Sequence, residues 1–336
     1  MHTNSPAILV VGGTGFIGSH MSLLLKQSGF TPIILDNLSK SHTTSALDTP
    51  IIIGEMNDRT LLNHLFHQYQ FAAVMHFASF IEVAESVRLP LLYYRNNVCA
   101  TVALLEVMLK HQVKHFIFSS TAAVYGNPIY TPIDEAHPLQ PINPYGASKR
   151  MVEEIIQHLG VSDQLNYAIL RYFNAAGADP CAILGEQHEP ESHLIPLVLQ
   201  VALRKKDAIT IYGQDYATPD GTCIRDYIHV IDLCSAHLLA LQKLLSRQAS
   251  ILCNLGTGQG YSVKQVIETA SHITQRPIPI IQGQRRLGDP AILVADSTKA
   301  KQYLSWQPKH SDLATIIQHA WNFYCQYDNH LSKARA

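Results

Sequence analysis

Ala7-Ile8-Leu9-Val10-Val11-Gly12-Gly13-Thr14-Gly15-Phe16-Ile17-Gly18 is the stretch whose reading decides the fold. Five consecutive apolar residues suit a strand buried on both faces of a parallel sheet. Glycines follow at 12, 15 and 18, and residues 19–28 then continue at helical spacing. The glycines permit a tight turn, a close approach of backbone to a pyrophosphate, and close packing of helix on strand. The helix start offers free N–H groups and the positive end of its dipole to phosphate oxygens.

Working outward, Pro32-Ile33-Ile34-Leu35-Asp36-Asn37 reads as a second strand ending in a carboxylate. Asp36 stands about 20 residues beyond the loop, where an acid receives the adenosine ribose hydroxyls. A carboxylate there repels a 2′-phosphate, so NAD is expected over NADP. A glycine turn without a ligand is the competing reading, and the order strand, turn, helix, strand, acid outweighs it. The alternation continues with strands at 51–53, 73–78 and 116–121, a helix over 59–68 and one long helix over 90–110. Small residues at Ala78-Ser79 leave room for a dinucleotide. Thr121 ends a strand on the side where open α/β sheets bind ligands.

Tyr145-Gly146-Ala147-Ser148-Lys149 opens another helix, over 145–159, with Asn143 or Pro144 at its start. Spacing of four places Tyr145 and Lys149 on one face, one turn apart. A lysine ammonium nearby would lower the phenol's pKa and fit Tyr145 to take a proton from a sugar hydroxyl. Alone, the pair reads more readily as one buried Tyr and one solvated Lys, because Tyr-x-x-x-Lys is a common spacing.

The 336 residues exceed one ordinary core and predict two lobes, 1–176 and 177–336, divided where the alternation breaks into Gly/Pro/His-rich sequence at 175–190. Hydrophobic content of 47% with 15% charged residues fits a globular enzyme. A net charge of −1 gives no reason to expect nucleic acid or membrane binding. The six cysteines show no Cys-x-x-Cys spacing and the 18 histidines are scattered, with His111 and His115 the one His-x-x-x-His pair, so no metal is expected. No window of about 18 apolar residues spans a membrane and no signal segment is read, so a cytoplasmic location is expected.

The glycine loop, Asp36, Thr121 and Tyr145-x-x-x-Lys149 together resemble the extended short-chain dehydrogenase/reductase family. Four further stretches resemble its sugar-nucleotide 4-epimerase branch: Phe118-Ser119-Ser120-Thr121-Ala122-Ala123-Val124-Tyr125-Gly126, Arg171-Tyr172-Phe173-Asn174, Asp220–Val230 and Asn254-Leu255-Gly256. Related dehydratases carry Asp-Glu after the strand-end threonine. Here Ala122-Ala123 stand there, without an acid or base for eliminating water. The resemblance implies a doubly wound parallel-sheet α/β Rossmann domain with a smaller α/β substrate domain partly interleaved with it, and a homodimer. It implies interconversion of UDP-galactose and UDP-glucose through hydride transfer from C4 to tightly bound NAD and back.

By the same resemblance Tyr145 is the base, Lys149 its partner and Thr121 a helper at the sugar O4. The implied cofactor contacts are Gly12, Gly15, Phe16, Ile17, Gly18, Asp36, Asn37, Glu55, Met56, Phe77, Ala78, Asn97, Tyr145, Lys149 and Tyr172. Glu55 stands where an Asp is usual, and Ile81 where some epimerases have a lysine that helps hold NAD. The implied substrate contacts are Thr121, Tyr145, Asn174, His193, Leu194, Ile211, Tyr212, Arg225, Arg286, Asp289 and Leu293. Arg225 and Arg286 can each clamp a phosphate in bidentate fashion, and Asp289 can hold the ribose. Tyr212 would pack on uracil. Leu293, at the position that gates sugar size, leaves the alternatives of UDP-N-acetylhexosamines or UDP-pentoses open. A non-catalytic NAD sensor would predict a damaged Tyr/Lys pair, and both residues are present.

Overall fold

The computed structural model describes residues 5–41, 47–162, 164–188, 190–246, 249–286 and 288–334, with side chains to residue 328. The chain alternates strand and helix: β1 (Ala7–Val11), α1 (Phe16–Gln27), β2 (Thr31–Asp36), β3 (Ile51–Ile53), α2 (Arg59–Tyr69) and β4 (Ala73–His76). Two short helices follow, α3 (Val83–Arg88) and α4 (Pro90–Tyr93), then α5 (Ala100–Lys110), β5 (His115–Thr121), α6 (Pro144–Val161), β6 (Asn166–Tyr172) and β7 (Asn174–Ala176). The remainder comprises α7 (Leu194–Ala202), β8 (Ile209–Tyr212), β9 (Ile224–His229), α8 (Val230–Leu245), β10 (Ile251–Leu255) and β11 (Gly260–Ser262). It ends with α9 (Val263–Thr274), β12 (Ile280–Gly283), β13 (Ile292–Leu293), α10 (Thr298–Leu304) and α11 (Leu313–Ala334).

Seven strands form one parallel sheet in the order β10-β6-β5-β4-β1-β2-β3. Its strands are nearly continuous apolar runs because helices cover both faces, which produces two separate cores. β10 completes this sheet although it lies far along the chain. A second sheet, β11-β9-β13 with β7 beside β9, and the pair β8/β12 carry a third core with α7, α9 and α11.

Two element expectations need correction. The first helix begins at Phe16, not Ser19, so Gly18 lies inside its first turn. The expected continuous helix over 90–110 is interrupted: Tyr94–Cys99 winds as a π-helical turn between α4 and α5. The buried Asn97 in that turn binds both backbone groups of Phe80, at 3.0 and 3.1 Å, and donates to Ser148 Oγ at 3.1 Å. These contacts reach across to another segment and to α6, and a widened turn gives Asn97 a place on that side.

Helix α6 is set by its sequence. Asn143 caps it, accepting from Gly146 N–H, and Pro144 occupies the first turn. Its inward face presents Tyr145, Lys149 and Glu153 at intervals of four, beside Val152 and Ile156. Glu153, 1% exposed, meets the Arg171 guanidinium of β6 at 2.9, 3.2 and 2.6 Å and receives the Ser120 hydroxyl of β5 at 2.5 Å. Arg171 also donates to Tyr125 Oη, whose hydroxyl donates to Asn254 Oδ1 on β10.

Removing one partner of so buried a pair strands the other charge. Glu153→Ala is expected to cost about 3–5 kcal/mol in urea unfolding. Glu153→Leu with Arg171→Met should recover much of that loss, and equal losses would refute the buried-charge account.

Candidate active site

A cleft of about 320 Å³ opens at the carboxyl ends of the central strands. Its floor is the glycine turn. Gly12 has φ +79°, and a Cβ there would stand 2.5 Å from Ala78 N. A Cβ on Gly18 would collide with the Gly12 carbonyl, whereas Gly15 meets only that carbonyl, at 3.4 Å. No side chain caps the start of α1, so its first N–H groups are left for an anion. Asp36, at the end of β2, accepts from Thr14 N at 3.1 Å and Leu38 N at 2.9 Å. Asn37 donates to Glu55 at 3.1 Å beside it. A turn that excludes a Cβ at Gly12 and Gly18, an uncapped helix start and a strand-end carboxylate fit the pyrophosphate and ribose of NAD.

Of the residues expected at the site, Gly12, Gly15, Phe16, Ile17, Gly18, Asp36, Asn37, Glu55, Met56, Phe77, Ala78, Thr121, Tyr145, Tyr172, Asn174 and His193 line this one cleft. Ile81, where a lysine would have been informative, lines it too. Asn97 does not line the cleft, because its amide is engaged with Phe80 and Ser148 behind the wall. Its neighbour Asn96 does.

Thr121 and Tyr145 line the cleft together, with the Thr121 hydroxyl near the Tyr145 phenol. Burial pushes that phenol above its ordinary value, and the nearby Thr121 hydroxyl opposes the shift. The expected lowering by Lys149 is not what sets it. Lys149 Nζ instead donates to Ser79 Oγ at 2.7 Å and the Ser119 carbonyl at 2.8 Å, and lies 4.7 Å from the Phe118 ring centre. Burial lowers the lysine itself to about 7, with Glu153 acting in the opposite sense. Ser79, which sequence reading noticed only for its small size, is therefore the lysine's partner.

The remaining expected substrate contacts gather elsewhere. Arg225 pairs with Asp289, and Cys223 Sγ lies 3.8 Å from the same carboxylate. The expected phosphate clamp and ribose acceptor thus neutralise one another here. The Arg286 guanidinium lies 4.0 Å from the Tyr212 ring centre. β13 pairs with β9 so that Leu293 stands opposite Arg225, and Ile211 is buried in β8. Leu194 begins α7 and packs on the third core.

Sequence reading missed one cluster. Glu186 and His188 join His193 along the cleft wall. Burial would raise the Glu186 carboxyl, but the His193 and His188 imidazoles outweigh it and hold it low. Two residues apart in sequence, Glu186 and His188 form no familiar motif, so only the fold reveals their convergence with His193.

The fold and the cleft define a dinucleotide-binding α/β protein with a Tyr/Lys/Thr site. A model of the NAD dependent epimerase/dehydratase family matches residues 8–256, and the chain belongs to that family. It is similar to the UDP-glucose 4-epimerase of Halalkalibacterium halodurans, 49% identical over 321 residues and 96% of each chain. Among solved structures it is similar to the UDP-glucose 4-epimerase from Brucella ovis in complex with NAD, with a TM-score of 0.92 and 43% identity. That match covers 95% of this chain and 98% of the other. The Bifidobacterium longum UDP-glucose 4-epimerase, in complex with NAD+ and UDP, matches with a TM-score of 0.91 and 37% identity over 96% and 99% of the chains.

The lowered Lys149 value has a consequence for stability. Below about pH 7 the ammonium is charged in both folded and unfolded chains, and its burial cost is fully present. Between there and the ordinary lysine value of about 10.4, the folded chain releases the proton and the unfolded chain keeps it. That cost is therefore relieved as pH rises. Urea unfolding should show wild type gaining stability relative to Lys149→Met across this window; a constant difference would contradict the assignment.

Proposed function

We propose that the protein interconverts UDP-galactose and UDP-glucose by epimerisation at C4. The observation that carries this reading is the placement of Tyr145 and Thr121 in the one cleft that also holds the glycine cradle and Asp36. NAD would rest on Gly12, Gly15 and Gly18 with its ribose at Asp36, and when bound it supplies the acceptor and donor of the C4 hydride. Tyr145 takes the proton from the sugar O4 and later returns it. Thr121 holds that oxygen and the phenol in line. Lys149, one helical turn away and anchored on Ser79 and Ser119, is assigned to the nicotinamide ribose beside it.

Inversion requires the 4-keto sugar to present its other face. The grip on the nucleotide must therefore be firm, and that on the hexose loose. We assign the firm grip to Ile211, Tyr212, Arg225, Arg286 and Asp289, and the loose one to Asn174, His193, Leu194 and Leu293. The nucleotide lobe beyond residue 176 would close over the first, which takes back β10 and α8. We place the protein in the cytoplasm; among the described residues no helix is long and apolar enough to cross a membrane.

A homodimer is part of the proposal. α3 and α4 leave Val87, Leu89 and Leu91 62%, 50% and 73% exposed, with Met151 of α6 also exposed. Such a face favours a second copy. Sedimentation should show a dimer that Leu91→Glu converts to a monomer, and a monomeric wild type would remove this part of the reading.

The function is tested by giving the purified protein UDP-galactose without added NAD and following UDP-glucose with a coupled dehydrogenase. Turnover is expected, and silence even with added NAD would overturn the proposal. Tyr145→Phe should lower kcat about 10²- to 10⁴-fold while UDP binding is retained. An equal loss of both would remove Tyr145 as the base.

A further inference from the structure

Where the chain enters α7 it folds Glu186, His188, Glu191 and His193 together, with one donor atom from each within 4.8 Å of the others. The two imidazoles address one carboxylate oxygen. His188 Nδ1 is 3.1 Å and His193 Nδ1 2.5 Å from Glu186 Oε1, and Glu191 Oε1 is 3.4 Å from His193 Nδ1. Glu186 is buried, and Glu191 is fixed by accepting from the Ser192 and His193 N–H groups at 2.8 and 2.9 Å.

A second observation separates this cluster from an ordinary ion-pair network. His193 Nδ1 is buried and has no hydrogen-bond partner, despite lying so near a carboxylate oxygen. The nitrogen and the oxygen are close without pointing at one another, as donors do when they converge on a third atom. Ligands at about 2.0–2.1 Å from a tetrahedral ion stand about 3.3 Å apart. The separations of 3.1 and 3.4 Å lie close to that value, and the 2.5 Å contact is shorter, so Glu186 and His193 would part around an ion. Two imidazoles with two carboxylates suit Zn²⁺. Ca²⁺ and Mg²⁺ take oxygen ligands in larger number.

We propose that Glu186, His188, Glu191 and His193 form a divalent transition-metal site, taking Zn²⁺ in a His₂Glu₂ set on the wall of the cleft. The ion would tie the segment before α7 to the start of that helix. His193 is also a proposed sugar-nucleotide contact, so the test measures metal binding directly, on the full chain without nucleotide.

The protein is stripped with a chelator, its fold is checked by circular dichroism, and Zn²⁺ alone is titrated in by calorimetry, with metal analysis of the product. One ion per chain is expected, with a rise in Tm. His188→Gln and Glu191→Gln should each weaken binding by about 10- to 100-fold or more, and His158→Gln, on the far end of α6, should not. Absence of stoichiometric binding, or binding unchanged in both ligand variants, overturns the proposal. If those variants do not fold, Co²⁺ loaded into the wild-type chain decides. Tetrahedral d–d bands without thiolate charge transfer support the site, and an octahedral or thiolate spectrum overturns it.

Discussion

Glu153 and Arg171 meet where water is excluded, between helix α6 and the neighbouring strands β5 and β6. Such a pair keeps its place only when both charges are saturated with hydrogen bonds, and here Ser120 and Tyr125 supply the rest. The consequence is positional. Glu153 is the third member of a stripe whose other members are Tyr145 and Lys149, so locking it against Ser120 and Arg171 fixes the helix along the sheet. Lys149 then reaches the carbonyl of Ser119 and Tyr145 comes to lie near Thr121, three successive residues of β5 answering three successive turns of α6.

The same constraint explains why the site tolerates an expensive arrangement. A buried lysine lowered to about 7 and a phenol raised by burial both oppose folding in their charged forms. Two apolar cores and a saturated ion pair beneath them supply the rigidity that keeps these groups inside. The cost is placed where chemistry needs a proton acceptor in a dry cleft.

Much of this was legible in the sequence because it depends on local rules. The run 7–11, the glycines after it and Asp36 predict β1, the turn and the ribose carboxylate, since each requirement is met by residues adjacent in the chain. The capped start of α6 was readable for the same reason. Contacts between distant segments were not. Tyr125, Arg171 and Asn254 stand in three separate family-like stretches, yet they meet in one buried network that supports the site from below. Asp226, in a fourth, accepts from Thr257, Gly258 and Ala295 as scaffold. The π-helical turn was hidden because its cause, Asn97 bonding to Phe80 and Ser148, is tertiary. Arg225 and Asp289 read as separate ligand contacts because nothing in the sequence shows that they pair.

The account rests on the C4 hydrogen leaving the sugar as hydride and returning without contact with water. The most direct measurement is epimerisation of UDP-galactose in D₂O, with the product read by proton NMR. UDP-glucose carrying protium at C4 is the predicted result. Deuterium at C4 would mean that the hydrogen exchanges as a proton, and would contradict the account.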